Sequence, residues 1–159
     1  MRLIKLALIS FFVFFAIVTA ISLLIPSHVR ISKAINISHT SDSLYSLIAN
    51  RSQWRRWHPA FKLKNIDSLL QVHEITITPV VNTDSLVTVH WQQAGKNPVV
   101  NSWQIHRFSA SDSAALQWYM DFQLPWYPWQ KFSSLFYEKT YGTMMTRGLN
   151  NIDSILRRH

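Results

Sequence analysis

The sequence predicts an α+β domain, an antiparallel sheet packed against a long carboxy-terminal helix, carried behind one membrane-spanning helix. Three observations predict it. Residues 6–25 are apolar or small apart from Ser10, Thr19 and Ser22. The stretch "ALQWYMDFQL" alternates, with Leu116, Trp118, Met120, Phe122 and Leu124 on one side and Gln117, Tyr119, Asp121 and Gln123 on the other. That period of two marks a strand with one covered face. Over residues 130–157, Phe132, Leu135, Phe136, Tyr141, Met145, Leu149, Ile152 and Leu156 recur near the helical period.

At the amino terminus, an apolar run of about 20 residues matches a hydrocarbon core of about 30 Å. Its Ser and Thr hydroxyls can bond back to helix carbonyls, so they do not interrupt it. Residues 1–26 are therefore expected to be an uncleaved anchor, with residues 28–159 as the domain. Two rivals stay open. Val18, Thr19 and Ala20 have the small-residue pattern of a signal-peptidase site. Arg2 and Lys5 place the amino terminus in the cytoplasm by the positive-inside tendency, whereas Arg30 and Lys33 beyond the run argue for the reverse orientation.

Pro26 ends the apolar helix. "HVRISKAINIS" alternates as a strand, with Lys33 the one charge on the face of Val29, Ile31, Ile35 and Ile37. Thr40 or Ser41 can cap a helix whose apolar face holds Leu44, Leu47 and Ile48. "WRRWHPAF" reads as a short helix broken at Pro59, with Trp54 and Trp57 on one face and Arg55 and Arg56 turned away. "VHEITITPV" and "SLVTVHWQQ" read as a hairpin turning through residues 81–84. "VVNSWQIHRF" follows a turn holding Gly95, Lys96, Asn97 and Pro98. The irregularly spaced Asp-Ser pairs are caps and turns rather than a repeat.

The 159 residues suffice for one modest domain. A net charge of +8 favours acidic partners, anionic headgroups or nucleic acid. Arg51, Arg55 and Arg56 form the one interior cluster, and Arg157 and Arg158 lie near the end. Cysteine is absent, which excludes disulfides and thiolate chemistry. With three glycines and no glycine-rich loop or nucleophile elbow, neither a nucleotide cofactor nor a serine triad is expected. His73 and His90 fall on adjacent expected strands and His106 on the next. The histidines lack metal-ligand spacing, so no metal is expected. Glu74 and Asp121 point away from the apolar face; Asp121 becomes a candidate base only if that face lines a cavity. Basic and aromatic residues interleave as in single-strand nucleic-acid binders, but an exported anchor separates the domain from nucleic acid, which is not expected as a partner.

The order strand, two helices, meander of strands and long final helix resembles the START-like (SRPBCC, polyketide-cyclase-like) superfamily. "VRISKAINISHTSDSLYSLIANRSQWRRWHPAF" is similar to its opening strand, first helix and tryptophan-rich segment. "YPWQKFSSLFYEKTYGTMMTRGLNNIDSIL" resembles the closing helix of its membrane-anchored bacterial members. The resemblance implies a helix-grip fold, a sheet wrapped around the last helix over an elongated apolar cavity. It implies binding of a lipid or other hydrophobic molecule at a bacterial membrane, with an enzyme on such a ligand and a closed interaction module as alternatives. It carries over no catalytic set. The inferred cavity positions are Trp57, Trp103, Trp118, Met120, Phe122, Phe132, Phe136 and Met145, with His90, Arg107 and Tyr141 as polar anchors; each apolar one could equally be plain core.

Overall fold

The computed structural model describes residues 2–38, 42–62, 75–108 and 113–158. Helix α1 (Arg2–Leu23) is long and apolar enough to cross a membrane, and its side chains are exposed along nearly its whole length. Its 22 residues reach about 33 Å at 1.5 Å per residue.

Five antiparallel strands follow the expected meander: β1 (His28–Ile37), β2 (Ile75–Asn82), β3 (Leu86–Gln93), β4 (Val99–Arg107) and β5 (Ala114–Gln123). Their order across the sheet is β1-β5-β4-β3-β2, so the first strand closes onto the last. Between β1 and β2 lie α2 (Asp42–Ala49), α3 (Trp54–Trp57) and α4 (Pro59–Lys62). The cap proposed at Thr40 or Ser41 lies outside the described residues. In β5 the alternation holds: Leu116, Trp118, Met120 and Phe122 are buried, and so is Leu124 just beyond the strand.

The hairpin turns later than expected. β2 runs to Asn82, and the Thr83 N–H bonds the Leu86 carbonyl at 2.9 Å. The register shifts between Pro79 and Val81, so one residue is extra in β2. Proline cannot donate to a ladder, and a bulge is where a strand tolerates it. Gly95 turns β3 into β4 with φ of +73°, a conformation that favours glycine, and the Lys96 N–H closes the turn on the Gln93 carbonyl.

The carboxy-terminal helix is not the single rod that its apolar stripe predicts. It divides into α5 (Pro128–Ser134), a π-helical stretch (Glu138–Gly142) and α6 (Thr143–Leu156). Ser133 and Ser134 donate their hydroxyls to carbonyls three residues back, competing with the helical ladder where α5 ends. The wider π turn brings Glu138 to Lys33, which explains the lone charge on the inward face of β1. Gly142 leaves room for this pair: a Cβ would sit 3.0 Å from Glu138 Oε1 and 3.1 Å from Lys33 Cε, and those side-chain ends would have to shift slightly.

α6 lies across the inner face of the sheet, touching β1 and β5 as well as α2, α3 and α4. Met145, Leu149 and Ile152 on α6 meet a core of Ile31, Ile37, Leu44, Leu47, Ile48 and the inward residues of β3, β4 and β5.

Candidate functional site

"WRRWHPAF" folds as two short turns because of Pro59. His58 takes the extended conformation that a following proline favours, and Pro59 begins α4. Trp54 and Trp57 thereby face the interior together. Their indole N–H groups donate to the Ile48 and Leu47 carbonyls at 2.7 and 2.8 Å. Those carbonyls belong to the last turn of α2, where the helix leaves acceptors unpaired. Asn151 on α6 in turn caps the Trp57 carbonyl at 2.8 Å.

Around these turns the fold assembles an aromatic nest. His58 is wholly buried, with ring centroids 4.7 Å from Phe61, 5.0 Å from Trp118, 5.2 Å from Trp57 and 5.5 Å from Trp91. Trp103 stands across from Trp118 on the adjoining strand, 5.4 Å between rings. Gly148 lets α6 approach: a Cβ there would lie 2.7 Å from the Trp118 ring and 3.2 Å from Pro59.

Burial pushes the His58 imidazole down to about 3, so it is neutral at physiological pH. Its Nδ1 accepts the Ala60 N–H at 3.2 Å, which assigns the proton to Nε2. That N–H has no partner. Neither do Trp91 Nε1, Trp103 Nε1 or Asn101 Nδ2, all buried. Asn101 is wholly buried, and its Oδ1 faces Trp118 Nε1 at 3.4 Å. The nest thus holds four unpaired donors among apolar rings, a set that suits a hydrogen-bond acceptor such as a carbonyl oxygen or water.

The expected cavity residues divide. Trp57, Trp103 and Trp118 join the nest, and Met120 and Met145 are buried in the same core. Phe122 packs instead against Tyr137 and Tyr141 in tilted pairs, both centroids 4.8 Å away. Tyr141 is half-buried, and burial raises its pKa. Phe132 is half-buried on α5. Phe136 is 66% exposed, because the break after α5 turns it off the stripe. His90 sits opposite Thr78 and Val100, and alternation puts it on the other face from Val89 and Trp91. Arg107 is exposed at the end of β4, 4.0 Å from Asp84. Of the anchor candidates, then, neither His90 nor Arg107 reaches the nest.

His73 and Glu74 lie outside the described residues. His106 contacts Gln117 at 3.4 Å, and no cluster of metal-ligating side chains occurs among the described residues. Asp121 lies on the outer face, where Arg30 holds it through two hydrogen bonds of 2.6 and 2.8 Å and His28 stands 3.4 Å away. The bond to Asp121 raises the Arg30 pKa, and the Arg30 guanidinium also lies 4.8 Å over the Tyr119 ring. An open depression of about 230 Å³ beside α2 and the end of α6 is lined by Ser43, Ser46, Leu47, Gln53, Arg56, Ile155 and Leu156, none of them an expected cavity residue.

His58, Phe61, Trp91 and Asn101 are nest members that sequence reasoning missed. One signal was present for Asn101: it falls at an inward position of β4, between Val99 and Trp103, where a polar side chain is out of pattern.

Similar architectures occur among solved structures. A START superfamily protein from Mycobacterium smegmatis matches with a TM-score of 0.55 at 13% identity, over 81% of this chain and 97% of that one. The chain has a START-like fold. The likeness extends to the di-domain ARO/CYC protein BexL of the BE-7585A biosynthetic pathway (TM-score 0.57, 11% identity, 79% of this chain and 46% of that one). CalU16 from Micromonospora echinospora is similar too (TM-score 0.51, 12% identity, 80% and 74%). No family model matches the sequence, and no curated protein does. At these identities the START-like likeness speaks for the fold alone.

Proposed function

We propose that this START-like domain binds an apolar or amphipathic small molecule, lipid-derived or of similar character, whose hydrogen-bond acceptor meets the donors of the aromatic nest. The carrying observation is the four unpaired buried donors at His58, Trp91, Asn101 and Trp103. An unsatisfied buried donor costs about 1–3 kcal/mol, so four in one core ask for an acceptor. The rings around them suit an apolar ligand body. The expected cavity residues Trp57, Trp103, Trp118, Met120 and Met145 remain the apolar lining in this reading, with His58 and Asn101 as anchors. Because the Nδ1 lone pair of His58 is occupied, its role is to donate and polarise, not to abstract a proton. Turnover of the cyclase kind would need a base from elsewhere.

Native mass spectrometry of the full-length protein, extracted in mild detergent, tests this reading. A co-purifying hydrophobe is expected, and a His58→Phe, Asn101→Leu variant is expected to lose it. Repeated absence of any such species from the unaltered protein overturns ligand binding. A second reading, an interaction module with a closed core, is favoured by the complete burial of Trp57, Trp103 and Trp118 against one another. It predicts no bound species and a double variant at least as stable as the parent.

In the same reading α1 anchors the domain in the membrane with its amino terminus in the cytoplasm, supported by its length, its composition and Arg2 and Lys5 ahead of the apolar run. A reporter fused after His159, active on only one side of the membrane, checks the orientation.

A further inference from the structure

Outside α1 and the adjoining Leu24, the large hydrophobic side chains left exposed among the described residues are Val80, Phe108, Trp126, Tyr127, Trp129, Leu135 and Phe136. Five of these seven fall between positions 126 and 136, on α5 and the turns at its two ends. Trp126 and Trp129 are 60% and 63% exposed, and the Tyr127 ring stacks on Trp129 at 5.1 Å. Only one charged residue occurs in that stretch, Lys131, and it is buried.

Lys131 fixes where this patch sits. Its ammonium donates to the Ile25 carbonyl and to Ser27 Oγ, each at 2.7 Å, just past the end of α1. The Leu124 N–H bonds the Ser27 carbonyl at 2.7 Å, α1 abuts α5, and Ser22 is wholly buried. The aromatic side chains are therefore held at the level where α1 ends, and the patch continues the exposed apolar surface of that helix.

We propose that residues 126–136 form a second membrane contact, in which Trp126, Tyr127, Trp129, Leu135 and Phe136 rest in the headgroup layer of the bilayer that α1 crosses. Tryptophan and tyrosine suit that layer, each offering an apolar ring and one polar handle. Water is a poor partner for a contiguous patch of this kind. The contact gives the START-like domain a second point of attachment to the bilayer, which sets its height and tilt. It rests on the reading of α1 as a membrane span.

The test uses the full chain in lipid nanodiscs and tryptophan emission. Lipid brominated near the headgroup is expected to quench part of the emission, and W126F/W129F is expected to lose that part, leaving the core tryptophans unquenched. Aqueous acrylamide is expected to quench the unaltered protein little more than the double variant. A Phe14→Trp reporter added to the double variant, with lipid brominated deep in the chain, reports on α1 separately. A quenched reporter with no lipid quenching of Trp126 and Trp129 overturns the second contact alone: acrylamide access then places them in water, and shielding from both quenchers places them against another protein copy. An unquenched reporter overturns the span and the contact together.

Discussion

Residues 54–61 and 126–136 have similar compositions, each with two tryptophans, a proline and one or two phenylalanines, yet the fold treats them oppositely. In the first, both indoles are buried and donate to the orphan carbonyls of α2. In the second, both are exposed beside the end of α1. What decides is the company each keeps. Pro59 stands between two turns that fold onto the inner face of the sheet, where Trp91, Trp103 and Trp118 wait. Pro128 begins a helix pinned from its other side by Lys131 to the chain leaving α1, so its tryptophans face outward. Aromatic density alone distinguishes neither a core from a surface nor either from a site.

The largest break in this contrast is expected from the buried region. Trp118→Ala removes the ring that touches Trp57, His58 and Trp103. A loss of about 3–5 kcal/mol is expected, read by urea unfolding in detergent. Gly148→Ala probes the same contact from the helix side. Its methyl would fall 2.7 Å from a ring locked by its neighbours, and overpacking of this kind costs about 1–3 kcal/mol. Wild-type stability for Gly148→Ala would mean that α6 does not rely on this close approach.

How much of this was legible beforehand follows from where the determining contacts lie. In β5 every second side chain is buried, so a local period carries the strand and its inward face. Lys33 was visible as an exception, but its cause, Glu138, is 105 residues away and reaches it only through the π turn. The break in the final helix was hidden because the apolar stripe runs on through Leu135 and Phe136, which the structure leaves exposed. The hairpin was misplaced because an extra residue between Pro79 and Val81 shifts the register without altering composition. The nest was hidden for the same kind of reason. That His58 is buried follows from Trp91 on β3 and Trp118 on β5 closing over it, and nothing within "WRRWHPAF" states this.

A pH dependence sharpens the contrast further, since only the buried stretch contains a histidine. The neutral form of His58 is favoured in the folded protein, with its pKa lowered from 6.5 to about 3 by burial. Between those values the unfolded chain binds a proton that the folded one refuses. Excluding that proton therefore costs nothing above about pH 6.5, and below it stability falls by about 1.4 kcal/mol per pH unit down to about pH 3. His58→Phe is expected to flatten the acid limb by that slope, whatever its offset at neutral pH. An identical acid limb in the variant would mean that the imidazole is reachable by water.

The smallest effect belongs to the exposed region. Trp126→Ser with Trp129→Ser removes two indoles whose ring neighbour is Tyr127. In detergent, where no bilayer is offered, stability is expected to change by no more than about 0.5 kcal/mol, the usual size for surface substitutions. The buried counterpart, Trp118→Ala, differs from it by several kcal/mol for the loss of one ring rather than two. A large loss from the serine pair in detergent would make residues 126–136 part of the folded core and remove the reason for assigning them to the bilayer. A negligible loss leaves their exposed rings without a structural role inside the chain, which is the condition under which a membrane contact explains why they are tryptophans.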